Sequence, residues 1–179
     1  MDDSTVRPAE TGDVADIRRI ARESWHAAYD DIVGPDAVES VVSEWYDLNH
    51  LRQSVERDDG VFLVAETEAD EETEPDVDET DAEVVGFGQG VLGSEDDAAE
   101  LPRIYVHPDY WNEGAGSEML ARIEERLAER GAERLRLIVL ADNEVGNAFY
   151  ESHGYGTVGS RESEFEGERY TDYVREKEL

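Results

Sequence analysis

Apolar residues recur along the chain at two different spacings, and the alternation between them lays out the elements. Val14, Ile17, Ile20, Ala21, Trp25 and Ala28 follow one another at steps of three and four, so they share one face of a helix. Thr11 is placed to cap its N-terminus, and Gly34-Pro35 ends the region. Val38, Val41, Val42, Trp45, Leu48, Leu51 and Val55 keep the same spacing and predict a second helix over residues 36–57. Later, Met119, Leu120, Ile123 and Leu127 mark a helix stopped by Gly131, and a shorter helix over 144–153 stops at Gly154.

Short apolar runs fill the intervals. Strands are predicted at 5–7, ended by Pro8, and at 61–65, 84–92, 101–106, 134–140, 155–164 and 169–176. The run 134–140 is apolar beyond Arg134 and Arg136, as expected of a central strand covered on both faces. The order is a strand, two helices, a strand hairpin, a β-α-β crossover, a short helix and a final hairpin. That order predicts an α/β fold, a single sheet of mixed direction with the crossover at its centre.

Residues 66–83 break the pattern, with 11 carboxylates in 18 positions and almost nothing apolar. Such a segment cannot bury enough surface to offset its ordering entropy, so it reads as an acidic surface insertion at a hairpin tip. At 179 residues the chain has the size of one domain, here expected to span 1–179.

Charge and composition narrow the chemistry. Asp and Glu number 47 against 16 Lys plus Arg, for a net charge of −31, and Lys177 is the only lysine. Nucleic acid is therefore not an expected partner, since phosphate neutralisation needs clustered cations. Acidic charge spread through every segment instead suggests a halophilic protein, because near 1 M salt the screening length falls to about 3 Å and self-repulsion is damped. There is no cysteine, which removes disulfides, thiol nucleophiles and cysteine-ligated metals. No apolar run reaches membrane-spanning length and no signal peptide is evident, so a cytoplasmic location without membrane association is expected.

The segment from Glu100 to Leu120, ELPRIYVHPDYWNEGAGSEML, joins an apolar strand to an amphipathic helix through Gly114 and Gly116. Glycines permit a tight turn and close approach of a ligand, while the first N–H groups of a helix have no intrahelical partners and attract an anion. The junction is a candidate phosphate cradle.

VHPDYWNEGAGSEML resembles the acyl-CoA signature of GNAT-type N-acetyltransferases, and ADNEVGNAFYESHGY resembles their second signature, an asparagine followed seven residues on by a tyrosine. VRPAETGDVADI and SWHAAYDDI resemble the opening strand and acceptor-side helix of many members. The resemblance implies a GNAT-like mixed sheet of about six to seven strands flanked by about four helices. It also implies transfer of an acetyl group from acetyl-CoA directly to an amine, without a metal. A homodimer is compatible with it.

Carried onto this chain, the resemblance implies that the amides of Asn112, Glu113, Gly114, Ala115, Gly116 and Ser117 hold the CoA pyrophosphate. The backbone of Ile104, Tyr105 and Val106 would pair with the pantetheine arm as an added strand, with an N–H near Val106 facing the thioester oxygen. Asn143 would contact the cofactor, and Tyr150 would also contact it and protonate the leaving thiolate. Glu100 is the candidate base that deprotonates the amine, through water. Trp25 and Tyr29 would line the acceptor pocket, near Asp30 and Asp31, with Trp45 and Tyr46 in the same region. His107 reads as a surface or structural residue, and His153 as a favourable charge at a helix end.

Two departures from the family pattern stand out. Trp111 occupies the position of the usual Gln or Arg, and Glu113 puts a negative charge in the phosphate loop. Ile138 stands where enzymes acting on ribosomal-protein N-termini carry a glutamate. The acceptor is therefore expected to be a small-molecule primary amine. A protein N-terminus and a catalytically silent acyl-CoA-binding module are the alternatives.

Overall fold

The computed structural model describes residues 4–67, 82–93 and 98–179. Seven strands form one sheet in the order β1-β2-β3-β4-β5-β7-β6. They are β1 (Ser4–Pro8), β2 (Gly60–Thr67), β3 (Val84–Val91), β4 (Ala98–Val106), β5 (Arg134–Leu140), β6 (Gly156–Phe165) and β7 (Glu168–Glu178). Only β4 and β5 run parallel, joined by the crossover helix α4 (Ala115–Glu129). This is the mixed α/β sheet expected from the sequence.

Four further helices accompany it: α1 (Val14–Val33), α2 (Pro35–Trp45), α3 (Leu48–Val55) and α5 (Glu144–Ser152). The helix expected over 36–57 is thus two. Tyr46 leaves helical geometry, and the Asp47 carboxylate accepts from the N–H groups of Asn49 and His50 to start a new helix. At the break Tyr46 is buried at 2 % exposure. The start of α1 also differs from expectation. Thr11 sits inside a 3-10 turn, and Asp13, at the N-cap position of α1, makes no side-chain cap to that helix; its carboxylate reaches back to accept from the Glu10 N–H and from Arg7 at 2.8 and 2.9 Å.

The sheet separates two cores. On one face α4 packs Met119, Leu120, Ile123 and Leu127 against Leu63, Val85, Leu135 and Leu137. On the other face Ile17, Ile20, Trp25, Val38 and Leu51 of α1 to α3 meet Phe62, Val64 and Phe87. The helix α4 lies close because its contact positions on β3 are glycines. A Cβ on Gly90 would come within 2.6 Å of Ile123 and 2.7 Å of Leu127. The β2–β3 hairpin closes at the pair Thr67 and Glu83, so the acidic run does join antiparallel neighbours; its residues 68–81 lie outside those described.

Candidate functional site

The site begins where β4 changes its pairing. Gln89 of β3 is opposite Arg103, but Val91 is opposite Glu100, so Leu101 and Pro102 form a bulge on β4 against the single residue Gly90. Proline lacks the N–H that a ladder needs, which suits it to this place. Toward β5 the pairing covers only Ala98, Ala99 and Glu100. Beyond Glu100 the two parallel strands part, and β4 exposes an edge in the middle of the sheet.

Which backbone groups face that edge follows from the antiparallel ladder. The His107 N–H donates to Val85 at 2.8 Å. Hydrogen-bonded pairs alternate in such a ladder, so Tyr105 turns its N–H and C=O to β3, while Ile104 and Val106 turn theirs to the open side. Tyr105 therefore differs from the expectation that its backbone faces a ligand; its ring instead packs near Trp25 and Phe87. The Val106 carbonyl is already occupied, by Ser24 Oγ at 3.1 Å and Trp111 Nε1 at 2.7 Å. The open edge thus offers the N–H and C=O of Ile104 and the N–H of Val106.

At the end of β4 the chain turns through His107, Pro108 and Tyr110 into the glycine loop. Asn112 and Gly114 have φ of 64° and 94°. Gly114 meets this left-handed geometry without strain, as the loop requires. The N-terminus of α4 has no side-chain cap, and the first intrahelical bond is from the Glu118 N–H to Gly114. The N–H groups of Ala115, Gly116 and Ser117 therefore point outward at the positive end of a 15-residue helix. Glu113 and Ser117 are exposed beside them. Uncapped helix amides and an open strand edge thus lie one after the other, an anion site beside free backbone donors and acceptors.

Asn143 and Tyr150 stand across the opening from β4. Asn143 caps α5, accepting from the Gly146 N–H at 2.9 Å, and its amide donates to the Tyr29 hydroxyl at 3.1 Å. A Cβ on Gly146 would lie 2.5 Å from the Asn143 amide nitrogen, so this cap needs glycine there. Tyr150 is half-buried between Phe149 and Tyr155, and its hydroxyl makes no hydrogen bond among the described residues. Burial pushes its phenol well above the ordinary value, which keeps it protonated. His153 binds the Phe149 carbonyl at 2.7 Å and Ser117 Oγ at 2.9 Å, tying α5 to the loop helix.

On the face of α1 a cavity of about 300 Å³ opens onto the same parting of the strands. Trp25 and Tyr29 line it, with ring centroids 4.4 Å apart, and so do Trp45, Tyr46 and Tyr105. Burial raises the Tyr29 phenol and lifts that of Tyr46 to about 12, so both remain neutral donors. Glu100 lies at one end, exposed and beside Arg136, whose guanidinium is held by Glu176 at 2.9 Å. Ile138, 44 % exposed, forms an apolar part of the wall. Asp30 and Asp31 are not part of the lining; Asp30 is bound to His26 at 2.6 Å. The carboxylates that line the cavity are Glu100 and Asp172. No sequence motif marks Asp172, Arg161, Ser163 and Phe165, although Arg161, Ser163 and Phe165 alternate on one face of β6.

Comparison with known proteins agrees with this geometry. A model of the acetyltransferase (GNAT) family matches residues 15–155. The chain is 28% identical over 164 residues to a spermidine N(1)-acetyltransferase of Thermoplasma acidophilum, covering 89% of this chain and 92% of that protein. It is similar in structure to a PaiA N-acetyltransferase of Thermoplasma acidophilum crystallised with coenzyme A, with a TM-score of 0.79, 25% identity and 99% of each chain covered. A ribosomal-protein-alanine N-acetyltransferase of Brucella melitensis shares the fold at a TM-score of 0.71 and 21% identity, over 98% of this chain and 99% of that one.

Proposed function

The chain belongs to the GNAT acetyltransferase family and is an acetyl-CoA-dependent N-acetyltransferase, and from that premise we propose that its acceptor is a small-molecule primary amine. The observation that carries this reading is the cavity on the α1 face, enclosed by aromatic rings and walled in part by Ile138. A small amine fits a volume of about 300 Å³. The relative named a spermidine acetyltransferase supports a small acceptor.

The residues divide the work as follows. The amides of Ala115, Gly116 and Ser117, with the preceding loop, hold the pyrophosphate of acetyl-CoA, which supplies the activated acetyl group. Ile104 pairs with the pantetheine amides across the open edge. The Val106 N–H, nearer the loop, meets the start of the same arm, so the thioester lies further along β4 toward Glu100. Glu100 takes the proton from the incoming ammonium through water, since an ammonium near pKa 10 is not nucleophilic. Tyr150 gives its proton to the departing thiolate, and Asn143 fixes the α5 terminus and Tyr29 around it. No covalent enzyme intermediate is needed. The spread of acidic surface suits work in concentrated salt.

A thiol-release assay in molar KCl tests the reading, with acetyl-CoA offered against alkylamines, diamines, amino acids and short peptides. Turnover of small amines is expected. Turnover of peptides alone, or CoA binding with no turnover, would overturn it.

A further inference from the structure

Arg161 of β6 stands opposite Asp172 of β7, and both line the cavity on the α1 face. The Asp172 side chain is 6 % exposed and that of Arg161 57 % exposed. A carboxylate so deeply buried needs a partner, because an unpaired charge out of water is costly. Two side chains of β6 supply it: Arg161 Nε donates to one oxygen and Ser163 Oγ to the other, each at 3.2 Å. Asp172 thereby fixes the inner edge of the guanidinium and leaves the outer edge open.

That outer edge is unspent. A guanidinium carries five N–H donors, and neither Nη of Arg161 donates to any group among the described residues. Arginines elsewhere are used differently: Arg22 and Arg57 each give Nε and one Nη to a single carboxylate. Arg136, also on the cavity wall, gives Nε and an Nη to Glu176. The wall sets these two arginines against two carboxylates, Glu100 and Asp172, in a chain with 47 Asp and Glu to 16 Lys and Arg. It is therefore poor in negative charge for this protein, and the two Nη groups of Arg161 match the forked geometry of a carboxylate.

The strands place this fork far from the reacting end. Asp172 is in register with Leu140 on β5, whereas Glu100 is in register with Arg136. Four residues of β5 separate the two levels, roughly 13 Å at about 3.3 Å per residue. We infer that Arg161, held by Asp172, receives a carboxylate of the acceptor, which is then an ω-amino acid whose amine reacts at the Glu100 end. An α-amino acid, with its two charges one carbon apart, cannot reach both ends. This rests on the small-amine reading above and specifies its substrate class. Asp172 gives up neither of its hydrogen bonds when the carboxylate arrives, so the buried charge stays paired throughout.

The probes are ω-aminohexanoate, hexylamine and α,ω-diaminohexane, which share a chain length and differ at the far end. Each is assayed for kcat/KM at one salt concentration with wild type, Arg161→Gln and Arg161→Lys. Arg161 lies on the edge strand of the sheet, and comparing amines within each protein cancels any partial loss of folded enzyme. Wild type is expected to prefer the amino acid, and Arg161→Gln to lower that preference about tenfold, through KM. Arg161→Lys, which keeps the charge without the fork, should retain part of it. Failure of wild type to prefer the amino acid overturns the inference. So does a preference that survives intact in Arg161→Gln, the result expected if Arg161 serves only to neutralise Asp172. Turnover of none of the three amines by wild type defeats the small-amine reading instead. Calorimetric binding of ω-aminohexanoate in the presence of CoA then decides the fork by itself: binding weakened about tenfold in Arg161→Gln supports it, and binding absent or unchanged defeats it.

Discussion

The Trp111 indole donates its N–H to the Val106 carbonyl at 2.7 Å. This single bond joins the phosphate loop to the end of the open strand, five residues earlier in the chain. Ser24 of α1 donates to the same carbonyl, so β4, the glycine loop and α1 meet at one atom. An arginine or glutamine at position 111 would be a direct donor to phosphate in the family pattern. Here the side chain acts on the loop, and in the proposed reading the helix amides meet the anion.

Replacing Trp111 with Phe keeps the ring and removes the donor. The lost hydrogen bond is worth about 0.5–1.5 kcal/mol, so KM for acetyl-CoA should rise about 2- to 10-fold with kcat nearly unchanged. Steady-state kinetics with acetyl-CoA varied at saturating amine measure the split. A fall in kcat at constant KM would show that the bond serves the reacting centre and not the loop.

In the proposed reading Tyr150 donates a proton, and its burial determines when it can do so. Because its pKa is raised, the phenol stays protonated throughout the neutral and alkaline range in which the amine becomes nucleophilic. Tyr150→Phe should lower kcat about 100-fold, the lower range for general acid catalysis, with KM for acetyl-CoA little changed. The wild-type rate should show no alkaline decline from this group up to pH 10. Full kcat in the Phe variant would assign the acid role elsewhere.

His26 links α1 to α2 by bridging Asp30 at 2.6 Å and Glu39 at 2.7 Å. The bond to Glu39, followed by that to Asp30, raises its pKa above the ordinary 6.5 despite an opposing effect of burial. A raised folded pKa means that the protonated form is stabilised by folding. That contribution is complete below about pH 6.5 and is lost as pH rises through the higher folded value. His26→Gln should flatten this part of the stability profile, leaving the two proteins closest at alkaline pH. Urea melts at stepped pH test it, and a difference that grows with pH would reverse the assignment.

Much of this architecture is legible in the sequence because it is locally encoded. The three-and-four spacing from Val14 to Ala28 buries one continuous surface, so spacing alone identifies that helix, whereas β5, expected to be covered on both faces, buries Leu135, Leu137 and Val139 and leaves Ile138 44 % exposed. The glycine loop and the pair Asn143 and Tyr150 are legible as short motifs. What escaped depends on partners distant in the chain. The bulge at Leu101 and Pro102 exists only against Gly90, and it decides which backbone groups of β4 remain open. The break at Tyr46 reflects the space available beneath α1, where the Trp25 indole meets the Tyr46 hydroxyl at 3.3 Å. Asp172 resembles any other carboxylate in a chain with 47 acidic residues until β5 and β6 flank it.

The net charge of −31 on 179 residues sets the last expectation. Like charges on a folded surface are closer together than on the unfolded chain, so their repulsion favours unfolding. Salt reduces that repulsion most for exposed groups: the screening length falls from about 10 Å at 0.1 M to about 3 Å at 1 M. Pairs with one buried partner, such as Asp172 with Arg161 and Arg175 with Glu151, are affected less than fully exposed ones. Melting temperature should therefore climb steeply as KCl rises to molar levels, and choline chloride at equal ionic strength should reproduce most of the gain if screening is the cause. A denaturation midpoint indifferent to KCl over this range would mean that the acidic surface carries no net repulsion, and the salt-adapted reading would fail.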